Sequence, residues 1–112
     1  MRRGDIWWAA LDIPSGSEPG YRRPVVIVSN NVFNQSVLRT VLTIPVTSNA
    51  DRAIAPGNVR LPRRSTGLAK DSVALAIQVG TTDKRCFIER IGRVPDEVMH
   101  RINAALRLAL AL

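Results

Sequence analysis

Most of the chain alternates apolar and polar positions in short runs, and only the C-terminal stretch repeats at helical spacing. Asp5 to Leu11 reads as a first strand, with Ile6 and Trp8 on one side and Trp7 on the other. A loop from Ile13 to Arg22, holding Pro14, Gly16, Pro19 and Gly20, separates it from a second strand, Pro24 to Ser29. Asn30 to Arg39 is a connection with a turn of helix around Val32 and Phe33, followed by a β-branched strand from Thr40 to Thr47. Pro45 lacks a ladder donor, which predicts a sheet edge or a bulge there.

After a second loop, Asn49 to Gly57, come a short strand Asn58 to Leu61 and a basic turn at Arg63-Arg64. Ser72 to Val79 and Lys84 to Arg93 are further strands, with Gly80 to Asp83 as the turn between them. Pro95 opens the one long helix. Asp96 and Glu97 suit the positive end of its dipole, and Val98, Met99, Ile102, Ala105, Leu106, Ala109 and Leu110 form its apolar stripe. The sum is a single domain, mainly β: a small, partly closed antiparallel sheet with a terminal helix against it.

Composition narrows the partners. The 112 residues carry 16 basic and 9 acidic side chains for a net charge of +7, and all the basic ones but Lys70 and Lys84 are arginine. Arginine's planar fork of donors suits phosphate oxygens, so a nucleic acid or another polyanion is the expected partner, with an acidic protein equally compatible. Cys86 is the lone cysteine and His100 the lone histidine, so neither a disulfide nor a zinc or haem cluster is expected, and no cofactor. Arg2 and Arg3 resemble the basic start of a signal peptide, but Asp5 and Asp12 interrupt the apolar stretch that should follow. With no window near the roughly 20 apolar residues of a membrane helix, a cytoplasmic protein without membrane contact is expected.

The same inventory restricts the chemistry. His100 sits on the helix among Arg101, Asn103 and Arg107 and reads as a solvated surface residue, which argues against triads and paired-histidine ribonuclease mechanisms. The carboxylates are scattered, mostly in loops, which argues against two-metal catalysis. What remains is a metal-free route in which the ribose 2′-hydroxyl of RNA is the nucleophile and the protein positions the phosphate and stabilises developing charge. Arg23 enters a strand from a loop, because Pro24 biases it toward extended backbone, and Thr47 leaves the next strand. If these strands pair antiparallel with Ser29 opposite Val41, Arg23 falls opposite Thr47; a one-residue slip would turn every side chain to the other face. On pattern alone, Arg23 also reads as an exposed charge and Thr47 as a turn residue.

Several segments, taken in order, resemble the MazF/PemK family of toxin endoribonucleases: Arg3-Gly4-Asp5-Ile6-Trp7-Trp8, Gly16-Ser17-Glu18-Pro19-Gly20, Arg23-Pro24-Val25, Pro45-Val46-Thr47-Ser48, Ala76-Ile77-Gln78, Asp83-Lys84 and Arg90-Ile91-Gly92-Arg93-Val94-Pro95. The resemblance implies an SH3-like barrel with a C-terminal helix, acting as a homodimer. It implies metal-independent cleavage of single-stranded RNA at short sequence motifs, giving 2′,3′-cyclic phosphate and 5′-hydroxyl ends, and neutralisation by an acidic MazE-like antitoxin. By the same likeness Arg23 acts on the scissile phosphate, read both as a charge stabiliser and as a proton donor with the first preferred because arginine's pKa is so high, and Thr47 is its hydroxyl partner. Glu18 takes the place of the loop glutamate, read both as a base or an orienting group for Arg23 and as a solvated loop acid. Arg22, Asn30, Ser48, Gln78 and Ser17 are RNA-contact candidates, and Trp7 or Trp8 either stacks a base or packs. Arg52, Arg63 and Arg64 read as a solvated or phosphate-tracking surface.

Two other readings compete. A gyrase-poisoning toxin of the CcdB type shares the fold but is associated with a Trp-Gly-Ile helix end, where this chain has Leu108-Ala109-Leu110-Ala111-Leu112. A non-catalytic nucleic-acid-binding barrel would account for the arginine excess by itself.

Overall fold

A computed structural model describes residues 1–11, 22–49, 51 and 55–112. Seven strands are present among them: β1 (Asp5–Ala10), β2 (Arg22–Ile27), β3 (Thr40–Thr47), β4 (Asn58–Leu61), β5 (Ser72–Leu75), β6 (Gly80–Asp83) and β7 (Phe87–Arg93). Three helices interrupt them: α1 (Asn31–Asn34), α2 (Arg63–Thr66) and α3 (Asp96–Leu110). The sheet is antiparallel throughout, in the order β4-β5-β3-β2-β1-β7, with β6 also paired to β3. The fold is therefore mainly β with a C-terminal helix. Among the described residues the strand path does not close by hydrogen bonding. Instead α2, which connects β4 to β5, packs against β7 at the far end of the path.

That contact depends on two glycines. A Cβ on Gly92 would overlap the carbonyl oxygen of Thr66, and one on Gly67 would lie 2.8 Å from the carbonyl oxygen of Ile91. Gly67 also has φ +84°, the left-handed conformation that ends α2. The backbones thus cross at a separation only glycine permits.

One core lies between the sheet and α3. Ile6 of β1, Val26 of β2, Ile44 of β3, Leu61 of β4 and Ile102 of α3 are fully buried in it. Each fully buried side chain of this size contributes about 1.5–3 kcal/mol through removal of apolar surface from water. Arg3 ties the N-terminus across this core, its Nε donating to the Val28 carbonyl at 2.8 Å and its Nη2 to Asn103 Oδ1 at 2.6 Å. Burial lowers its pKa from the usual arginine value.

Several expected boundaries shift. Gly80–Asp83 is strand β6, paired with Thr40–Thr43, and not a turn. The run expected as one strand from Ser72 splits into β5 and a 3-10 turn, Ala76–Gln78; a second such turn, Lys84–Cys86, precedes β7. Arg63 and Arg64 begin a short helix. Pro45 lies in β3, which is central and not an edge. It is accommodated because β3's partner on that side changes from β6, ending at Thr43, to β5, beginning at Val46, so the proline falls in the gap in the ladder. The stripe on α3 stops short of expectation, with Leu110 exposed.

Candidate active site

β2 pairs with β3 through Val25–Pro45, Val26–Ile44 and Ile27–Thr43. Continued by two residues, that register sets Arg23 opposite Thr47, and both line one cleft of about 460 Å³. The cleft sits where β2 begins and β3 ends, and Arg22 and Ser48 line it as well. Arg22 and Ser48 are exposed, whereas Arg23 and Thr47 are half-buried. Thr47 Oγ1 accepts a bond from the Asn49 amide at 3.2 Å. That turn fixes the oxygen while leaving the hydroxyl proton available to donate.

The opposite wall comes from the segment after α2. Leu68 and Lys70 line it, together with Ser72 at the start of β5 and Ile91 of β7. Ser72 is brought in because β5 pairs with the end of β3, through Val46–Ala74 and Thr47–Val73. Its hydroxyl donates to the Lys70 carbonyl at 2.8 Å, bracing the turn that carries the lysine. Neither Lys70 nor Ser72 was singled out in the sequence, because their proximity to Thr47 follows from a strand pairing that no local signal reports.

The two tryptophans separate. Trp7 packs edge-on against Phe87, with ring centroids 5.8 Å apart at 80°, and its Nε1 is buried. Trp8 remains 37% exposed and lines the cleft beside Arg22 and Arg23. The expected alternation places Ile6 and Trp8 on the same face, yet only Ile6 is in the core, and the pairing of β1 with β7 shifts on both sides of Trp7-Trp8.

Two predicted contacts lie elsewhere. Asn30 caps α1, its Oδ1 accepting from the Val32 amide at 2.9 Å, at the end of β2 remote from Arg23. Gln78 is exposed in the 3-10 turn that leads to β6, also outside the cleft. By strand rise Asn30 is roughly 20 Å from Arg23, so only an RNA of several nucleotides would reach both. Glu18 and Ser17 lie outside the described residues, as does Arg52. His100 is exposed on α3, and among the described residues no group of three or more His, Cys, Asp or Glu side chains is placed to hold a metal.

Residues 2–110 match the family described as the PemK-like, MazF-like toxin of type II toxin-antitoxin systems. The chain belongs to the PemK/MazF toxin family. It is 42% identical to the endoribonuclease MazF2 of Mycobacterium bovis over 112 residues, covering all of this chain and 98% of that one. It is 33% identical to the endoribonuclease EndoA of Bacillus subtilis, covering 96% of it. Among solved structures, a MazE–MazF complex from Deinococcus radiodurans superposes with a TM-score of 0.84 at 27% identity, over 100% of this chain and 96% of that one. An endoribonuclease solved with its cognate antitoxin from a mycobacterial species gives 0.81 at 28% identity, with the same coverage. The MazF fold thus spans the whole chain. No helix among the described residues is long and apolar enough to cross a membrane.

Proposed function

We propose that this chain cleaves single-stranded RNA at the Arg23–Thr47 cleft without a metal, using the substrate's own 2′-hydroxyl. The chain is a MazF-type endoribonuclease toxin of a toxin–antitoxin system, as its family membership gives. The observation that carries the chemical reading is the convergence of Arg23 and Thr47 on one cleft. In the step envisaged, the 2′-oxygen attacks phosphorus and the bond to the 5′-oxygen breaks. The 2′-proton leaves to a base and the departing oxygen gains a proton, so the products are a 2′,3′-cyclic phosphate and a 5′-hydroxyl.

Arg23 stabilises the charge that develops on the phosphoryl oxygens, and Thr47 donates to one of them. Arginine is too weak an acid to be assigned the proton transfer. Glu18 is the candidate to take the 2′-proton. Arg22 and Ser48 lie where the flanking backbone would pass. Ser17, Asn30 and Gln78 are candidate contacts further along the RNA. The toxin works as a homodimer in the cytoplasm, and an acidic antitoxin neutralises it by covering the basic surface. The net charge of +7 and the antitoxin complexes of the Deinococcus and mycobacterial structures support that partner.

The test is a long RNA incubated with purified protein in chelator, with the ends mapped. Arg23→Ala should cut about 100–1000-fold more slowly and Thr47→Ala at least tenfold more slowly, while both remain folded by circular dichroism. Arg22→Ala should lose less than either. Intact RNA with the parent protein would leave the non-catalytic binding reading in its place. Full activity in Arg23→Ala would move the site away from this cleft.

A further inference from the structure

The cleft has two chemical characters. Cationic side chains line it, Arg22 and Arg23 from β2 and Lys70 from the segment before β5, while Trp8, Leu68 and Ile91 line it with apolar surface. A nucleotide has the same two parts, a charged phosphate and a flat apolar base. Trp8 is the residue that this match singles out. Its neighbour Trp7 meets Phe87 and buries its indole nitrogen, whereas Trp8 keeps 37% of its surface exposed beside the arginines.

We propose that Trp8 is the stacking platform for the nucleobase adjacent to the phosphate held by Arg23 and Thr47, which makes the apolar side of the cleft a base subsite. The proposal rests on the RNA-cleaving reading for the identity of that phosphate. Trp8 pairs with Pro24, and Ala9 with Arg23, so along the strands the aromatic and the cation occupy successive positions on opposite faces. The cleft lies across the strand ends, where residues of both faces line it. A base on Trp8 therefore lies within one nucleotide of a phosphate at Arg23. Leu68 closes the subsite from the other wall, and the Gly67–Gly92 crossing sets how near that wall stands. A purely stacked subsite tolerates any base, since every base has a π face. It contributes affinity and placement, and selectivity for base order arises elsewhere along the RNA.

The experiment uses Trp7→Phe, which leaves Trp8 as the only indole of the two that the chain contains. The probe is a pool of 2′-O-methyl RNA decamers of randomised sequence, which cannot be cleaved because the 2′-oxygen is blocked. Trp8 emission should be quenched along the same curve as binding measured by the anisotropy of a labelled decamer. In the otherwise native chain, Trp8→Leu should weaken decamer binding about tenfold, and Trp8→Phe, which keeps a ring to stack on, should recover most of it. Binding without a change in Trp8 emission, Trp8→Leu binding as tightly as the parent, or no binding of the decamers at all would each overturn the proposal. The nuclease reading fails separately: a protein that quenches but leaves long RNA intact keeps the base subsite without the catalysis, and one that cuts without quenching keeps the catalysis alone.

Discussion

Gly92 stands where α2 crosses β7, and any side chain there meets the carbonyl oxygen of Thr66. Backbone on both sides leaves no flexible side chain to yield, so Gly92→Ala must push α2 away from β7. Overpacking of this kind costs about 1–3 kcal/mol, and a calorimetric scan should show a melting temperature lower by several degrees. Gly80→Ala is the matched control, because the nearest atom to a Cβ there is 3.9 Å away and the backbone is not left-handed. Equal melting of the two variants would mean the crossing is looser than described. Single residues also mark where the sequence stopped informing. Trp7 and Trp8 are the same type on opposite faces of β1, and the alternation that separates them would put Trp8, not Trp7, with Ile6 in the core; the pairing of β1 with β7 is irregular on both sides of them. Asn30 has a structural role that its residue type alone does not announce, its Oδ1 capping α1 at the end of β2 away from Arg23.

At the level of the elements, β6 leads into a 3-10 turn capped by Asp83, whose carboxylate accepts from the Arg85 amide at 2.8 Å and pairs with its guanidinium at 3.1 Å. These bonds to Arg85 hold the carboxyl below the usual carboxylate range. A group whose pKa is lower folded than unfolded stabilises above its unfolded value, near 4, and the contribution disappears as pH falls through the lower, folded value. Asp83→Asn keeps a cap acceptor and removes the charge. It should melt slightly below the parent at pH 7, and the gap should narrow as acid protonates the parent's carboxyl; a gap unchanged in acid would assign the effect to packing. Periodicity announced α3, which buries a repeating face, while unbroken apolar and β-branched runs announced β2 and β3, whose middles are buried on both faces. It missed β6, because Gly80-Thr81-Thr82-Asp83 has turn composition and is held extended by its partner β3. Pro45 misled for a related reason, since the change of partner that accommodates it involves three strands and shows in none of them alone.

Across the whole molecule, the cleft is assembled from β1, β2, β3, β5, β7 and the segment after α2, so it exists only once distant parts of the chain have met. The sequence could place Arg23 near Thr47, because those strands are consecutive, but not Lys70, Ser72 or Ile91. Among the described residues the sheet is continuous along its path, and at the seam between α2 and β7 packing replaces a ladder. A ladder shares its strength along its length, and a seam does not. Amide protons should report the difference: those of Val26 and Ile44 in the middle of the sheet should exchange with deuterium slowest, at the rate set by global unfolding, and those of 63–70 much sooner. A bound oligonucleotide that touches both Arg23 and Leu68 would stitch the seam from the outside, so protection gained at 63–70 on binding should exceed protection gained at Val26, and equal gains would place the ligand elsewhere. The wall that closes over the base is thus the part of the protein that the base itself would hold in place.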